Sequence, residues 1–224
     1  VGYEVFDRGQ ADAIEAEIFV LFHQVLMPLG VTASTGDVGL LVAAIEGLTT
    51  SDARKAALRR HIWRPSRFQA LLARFSQPVR AKALGADGQQ IGLRDASDVE
   101  LRLLQLVDEA AAPPIPQFEI EALNDLLEVK GHLPEALAQL QALVWRLPAI
   151  AFAVDHMAAR LAALTSAGLD VSQIGFEAAY GLTAMEYYDG FVFGFYAQHA
   201  GWPAVASGGR YDARLLYTSP SPRD

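Results

Sequence analysis

YYDGFVFGFYAQ, residues 187–198, is the stretch on which the fold class turns. In an extended chain Phe191, Phe193 and Phe195 alternate onto one face, while Val192 and Tyr196 fall on the other. Apolar residues on both faces describe a strand in the middle of a sheet, covered above and below. Upstream, residues 174–182 have the same aromatic and branched character and read as a second extended run. Downstream, Gly201 begins a turn, residues 204–206 are short and small, and Gly208-Gly209 reads as a sharp loop.

Working toward the N-terminus, the pattern changes to helical. Residues 51–168 read almost entirely as helix, with Ser51 able to cap the first and Arg64-Pro65 ending it. Ser66-Arg67-Phe68-Gln69 and Ser97-Asp98-Val99-Glu100 have the capping-box pattern, residues 85–92 are a polar loop, and residues 112–116 are a proline-rich connector. Further helices fit residues 118–130, 134–146 and 148–166, with Gly168 as a terminal cap. Before this block, residues 1–7 read as a strand. From Asp12 a helix carries Ile14, Ile18, Leu21, Phe22 and Val25 on one face, and Pro28 with Gly30 stops it. Residues 31–35 are β-branched, and Asp37 can cap a helix burying Leu41, Ala44, Ile45 and Leu48. Strands at both ends with helices between predict an α+β chain. Residues 1–50 and 169–214 then form a sheet domain, and 51–168 a mainly helical insertion. Residues 215–224, LLYTSPSPRD, break from this composition and resemble a translated sequencing adapter, so they are read as a non-native tail on an internal fragment.

Composition narrows the chemistry. The 224 residues are 52% hydrophobic, enough for a sizeable core. There is no cysteine, which excludes disulfides, thiolate metal sites and cysteine nucleophiles. His23, His61, His132, His156 and His199 are scattered singly, so no metal site is expected. No serine elbow or phosphate-binding glycine loop is present, and no continuous apolar run is long enough to span a membrane. The net charge of −8 makes nucleic acid a poor default partner and fits a cytoplasmic protein. One stretch runs against it. Residues 54–82 hold nine basic residues and no acid, with His61, Trp63, Phe68 and Phe75 interleaved. They form either a binding face for RNA, phosphate or an acidic partner, or solvated helix faces whose aromatics pack inward.

The motif set Tyr187-Tyr188, the Phe/Val strand and Ser207-Gly208-Gly209-Arg210-Tyr211-Asp212, at this spacing, resembles the catalytic core of histidyl-tRNA synthetase-like class II proteins. Val1-Gly2-Tyr3-Glu4-Val5-Phe6 and Thr35-Gly36-Asp37-Val38-Gly39-Leu40 are similar to two further segments of that family. The resemblance implies a class II synthetase-like antiparallel sheet domain with a large helical insertion, incomplete at both ends. It also implies one of two roles: aminoacylation, or regulation of ATP phosphoribosyltransferase without chemistry in this chain. In the synthetase an arginine five places before the second tyrosine meets the α-phosphate; here that place is Thr183. A threonine has no guanidinium fork, and losing one such donor costs about 3 kcal/mol, roughly a hundredfold in rate.

The resemblance therefore favours the regulatory role, in which no residue is catalytic and no cofactor is needed. Its partners are the short catalytic subunit of ATP phosphoribosyltransferase and histidine as effector, in a hetero-oligomer with self-association. The histidine-like pocket carried over from the family comprises Glu4, Tyr187, Tyr188, Gly208, Gly209, Arg210 and Tyr211. A binding module of unrelated ancestry is the remaining alternative, and it would leave Glu4 and Tyr188 far apart.

Overall fold

The computed structural model describes residues 2–6, 9, 11–78, 107, 111–182, 188–199 and 201–212. Five strands form one sheet in the order β2-β3-β1-β4-β5. They are β1 (Thr32–Asp37), β2 (Lys130–His132), β3 (Gly175–Glu177), β4 (Phe191–Tyr196) and β5 (Ala206–Gly209). Strand β1 pairs antiparallel with β4 over its whole length and parallel with β3; the β2–β3 and β4–β5 pairs are antiparallel. Among the described residues the α-helices with full bounds are α1 (Ala11–Leu26), α2 (Val38–Glu46), α3 (Asp52–Arg60), α4 (Pro65–Phe75), α5 (Gln117–Glu128), α6 (Leu133–Leu143) and α7 (Ala151–Ser166). None is long and apolar enough to cross a membrane.

The central strand is where the sequence places it. Phe191, Phe193 and Phe195 lie under α1, where the Phe19 ring meets all three at centroid distances of 6.2, 5.6 and 5.3 Å. Several capping expectations also hold. Asp37 Oδ1 accepts from Gly39 N at 3.0 Å, Ser51 Oγ accepts from Arg54 N at 3.4 Å, and Gly168 takes a φ of +84° past the end of α7.

Other readings are corrected. Residues 2–6 are exposed and belong to none of the five strands. Tyr3 and Phe6 are 50% and 68% exposed, so this segment gains no cross-strand burial. Helix α1 is rotated from its predicted face: Glu15, Ala16 and Phe19 are buried, whereas Val25 is 65% exposed. Ile18 and Phe22 of the predicted face still pack partly against the core, and the buried face carries an ion pair from Glu15, described below. Helix α4 starts at Pro65 rather than from a box at Ser66, because proline's fixed φ suits the first helical position and needs no N–H partner. Gly208-Gly209 is strand, not loop. The box at 97–100 and the loop at 85–92 lie outside the described residues.

Residues 51–168 are mainly helical where described, yet Lys130–His132 leaves them to pair with β3. Buried residues of α3 to α7 join those of the sheet in one continuous core. Glu119 of α5 ties the helices back to the loop after α2, accepting from Thr49 N at 2.8 Å and Thr49 Oγ1 at 2.5 Å.

Candidate functional site

Strand alternation gives the sheet two chemically distinct faces. Directly paired residues point the same way, so Thr35, Asp37, Phe191, Phe193 and Gly208 share the face under α1. Gly36, Val192, Gly194, Ser207 and Gly209 share the other.

This second face is floored by glycine and roofed by tyrosine. A Cβ on Gly194 would lie 2.1 Å from the Tyr180 hydroxyl, and one on Gly36 would lie 2.8 Å from Tyr180 Cβ. A Cβ on Gly209 would lie 2.8 Å from Tyr188 Cγ. The floor therefore tolerates no side chain beneath these rings. The Tyr180 and Tyr196 hydroxyls are hydrogen-bonded at 2.7 Å, with rings edge-on at 6.4 Å. Burial, then the bond to Tyr196, pushes the Tyr180 hydroxyl above the ordinary phenol range. Tyr188 is buried, and its ring stands 6.4 Å from that of Tyr211. The rings themselves fill the space above the glycines, and their phenolic hydroxyls are the polar groups on this face.

The face under α1 holds a buried charge cluster. Arg160 of α7 is 2% exposed and donates to Glu15 of α1 and, at 2.9 Å, to Asp37 at the end of β1. Its guanidinium lies 4.1 Å from the Phe191 ring centroid. Arg210 reaches the same Glu15 at 3.3 Å and Asp212 at 3.2 Å. Burial pushes the Glu15 carboxyl upward, against the pull of Arg160. Burial opposes the Arg160 charge, but Asp37 and Glu15 outweigh it and raise its pKa. Four elements are tied at one point.

The residues predicted for a pocket are distributed over both faces. Tyr188, Gly209 and Tyr211 gather on the tyrosine face. Gly208 lies on the opposite face, where the Phe193 ring fills the space a Cβ would need, 2.6 Å away. Arg210 is held under α1 by Glu15. Glu4 is exposed in the segment at 2–6. Tyr187 and Thr183 lie outside the described residues. Sequence reading missed Tyr180, Tyr196 and the Glu15–Asp37–Arg160 cluster. Gly36 and Gly194 within otherwise side-chain-rich runs were the available signal for the former. Among the described residues no three His, Asp or Glu side chains gather as a metal site.

The family described as histidyl-tRNA synthetase matches residues 1–216. A relative from Mesorhizobium japonicum, described as ATP phosphoribosyltransferase regulatory subunit, is 29% identical over 237 residues, covering 94% of this chain and 62% of its own length. Among solved structures, a Bacillus halodurans protein titled ATP phosphoribosyltransferase regulatory subunit/histidyl-tRNA synthetase superposes with a TM-score of 0.58 at 20% identity, covering 92% of this chain and 44% of its own. A histidyl-tRNA synthetase from Nostoc sp. PCC 7120 gives 0.56 at 14% identity, covering 94% and 42%. The chain thus spans less than two thirds of each of these relatives, and the two structures share its class II synthetase-like fold.

Proposed function

The chain belongs to the histidyl-tRNA synthetase family, and from that premise we propose that it acts as a regulatory subunit of ATP phosphoribosyltransferase and not as an aminoacylating enzyme. The observation that carries this choice is Thr183, where the family's adenylating members place an arginine. The description of the Mesorhizobium relative supports it. Two described arginines, Arg160 and Arg210, are both engaged by carboxylates under α1. Neither faces the tyrosines to replace the missing guanidinium.

In this reading the chain binds a short catalytic subunit in the cytoplasm and activates it. Histidine, held against Tyr188 and Tyr211, biases the assembly toward a less active state, a coupling of about 1–3 kcal/mol. Residues 51–168 are the helical insertion of that subunit, sharing a core with the sheet.

The test is to add the purified chain to a short-form catalytic subunit and measure condensation of ATP with phosphoribosyl pyrophosphate. A rise in rate that histidine reverses is the expected result, with Tyr188→Phe weakening the reversal. Failure of the two proteins to associate, together with histidine-dependent ATP–pyrophosphate exchange by this chain alone, would establish the synthetase instead.

A further inference from the structure

The basic stretch at 54–82 is not used by the regulatory reading, and the structure divides it. Arg54 is buried and serves the fold: it donates to the Pro113 carbonyl at 2.8 Å and lies 5.2 Å from the Phe75 ring centroid. Lys55 donates to the Glu46 carbonyl at 2.8 Å, and Arg59 pairs with the Glu46 carboxylate at 3.3 Å. Arg60, Arg64, Arg67 and Arg74 are exposed, and none has an acidic partner among the described residues. Arg80 and Lys82 lie outside them.

Local structure accounts for only two of those four. Arg60 and Arg74 stand in the last turns of α3 and α4, where the helix dipole favours a cation. Arg64 immediately precedes α4 and Arg67 lies in its first turn, at the end that already carries positive potential. No acid occupies that turn to offset them. Arg64 and Arg67 therefore sit against the helix's own preference, and Arg60 adds a third like charge at the other end of the short connection between the two helices.

We propose that the exposed face of α3, the connecting turn and α4, centred on Arg60, Arg64 and Arg67, docks a carboxylate-rich surface of another protein. Arginine forks match carboxylates two bonds at a time. Ser66, Ala70 and Ala73 are exposed along the same helix and are small enough to let a partner approach closely. Three features favour a protein over nucleic acid. Phe68 and Phe75 are buried and Trp63 is half-buried, so no fully exposed ring is offered to a base. Outside the basic stretch the chain has nine basic residues against 26 acidic, a balance of −17. That field repels a long polyanion wherever it runs past the patch, and spares an acidic cluster no larger than the patch.

The test titrates the full chain with a labelled short poly-L-glutamate, no longer than the patch, and, in parallel, with a poly(A)·poly(U) duplex at low salt. The expected result is binding of poly-L-glutamate that salt weakens, with the duplex bound more weakly. The combined Arg60→Glu, Arg64→Glu and Arg67→Glu variant should lose about tenfold or more in affinity, and Lys130→Glu on the sheet edge should lose nothing. The triple glutamine variant repeats the measurement with less repulsion, and circular dichroism confirms its fold. Tighter binding of the duplex, no binding of poly-L-glutamate, or a triple variant that binds like the parent each overturns the proposal. Salt-sensitive dimers in sedimentation, lost in the triple variant, would make a second copy of this chain the occupant and overturn it as well.

Discussion

Arg160 shows what a single residue is asked to do in this chain. It is buried with its charge intact because Glu15 and Asp37 surround it. Removing it leaves Asp37 buried without its cation and Glu15 with Arg210 at 3.3 Å in place of two arginines. Arg160→Met should cost about 3–5 kcal/mol, read as a fall in the urea midpoint. A fall worth less than about 1 kcal/mol would show that water reaches Glu15 and Asp37. His23 offers a second check, through pH. Its ring lies 6.1 Å from Phe19 and 6.4 Å from Phe195, and burial lowers its pKa below the ordinary 6.5. The folded state therefore resists a proton that the unfolded chain accepts. The stability His23 contributes is complete above 6.5 and is lost as pH falls from there toward the lower folded value. Melting temperature should drop between about pH 7 and pH 5, and His23→Phe should flatten that slope.

At the scale of elements, β5 is instructive. Gly208-Gly209 looks like a turn because glycine usually marks backbone freedom. In the sheet it marks close approach instead: Phe193 covers Gly208 on one face and Tyr188 covers Gly209 on the other. Gly209→Ala would set a methyl 2.7 Å from the Phe191 carbonyl oxygen. Either Gly208→Ala or Gly209→Ala should cost about 1–3 kcal/mol by overpacking, in thermal or urea unfolding. Gly2→Ala, with nothing within 4 Å, should be neutral. Helix α1 carries a similar lesson. Its apolar periodicity points to Ile14, Ile18, Leu21, Phe22 and Val25; Ile18 and Phe22 pack partly against the core, while Glu15, bonded to Arg160, and Phe19 are the ones buried. A buried ion pair needs its exact partners, whereas an apolar side chain tolerates partial exposure.

At the scale of the molecule, the helices between residues 52 and 166 and the five-stranded sheet share one continuous core. Strand β2, drawn from within the helical stretch, binds them further through β3. A core of this kind predicts one cooperative transition. In a Trp202→Phe variant, emission from Trp63 and Trp145 reports on the helical stretch and should move with far-UV circular dichroism over the same urea range. Separate midpoints would mean that the helices fold as an independent unit.

Some of this was legible in the order of residues. Alternation identified Phe191–Tyr196 as a central strand, because a strand buried on both faces needs apolar side chains on both. The caps at Asp37 and Ser51 were legible because capping is a contact between residues two or three apart. The resemblance to the family rested on Tyr187-Tyr188, the Phe/Val strand and the Ser207–Asp212 run in that order, with Thr183 as the departure from its pattern. What tertiary structure decided are the long-range pairings. Arg160 meets Glu15 and Asp37 across more than a hundred residues, Tyr180 roofs Gly36, and Arg210 turns under α1 while Tyr211 turns toward Tyr188. Local preference specifies which elements form. Burial of charge and the room available beside each glycine decide which faces meet, and those depend on partners that only the folded chain brings within reach.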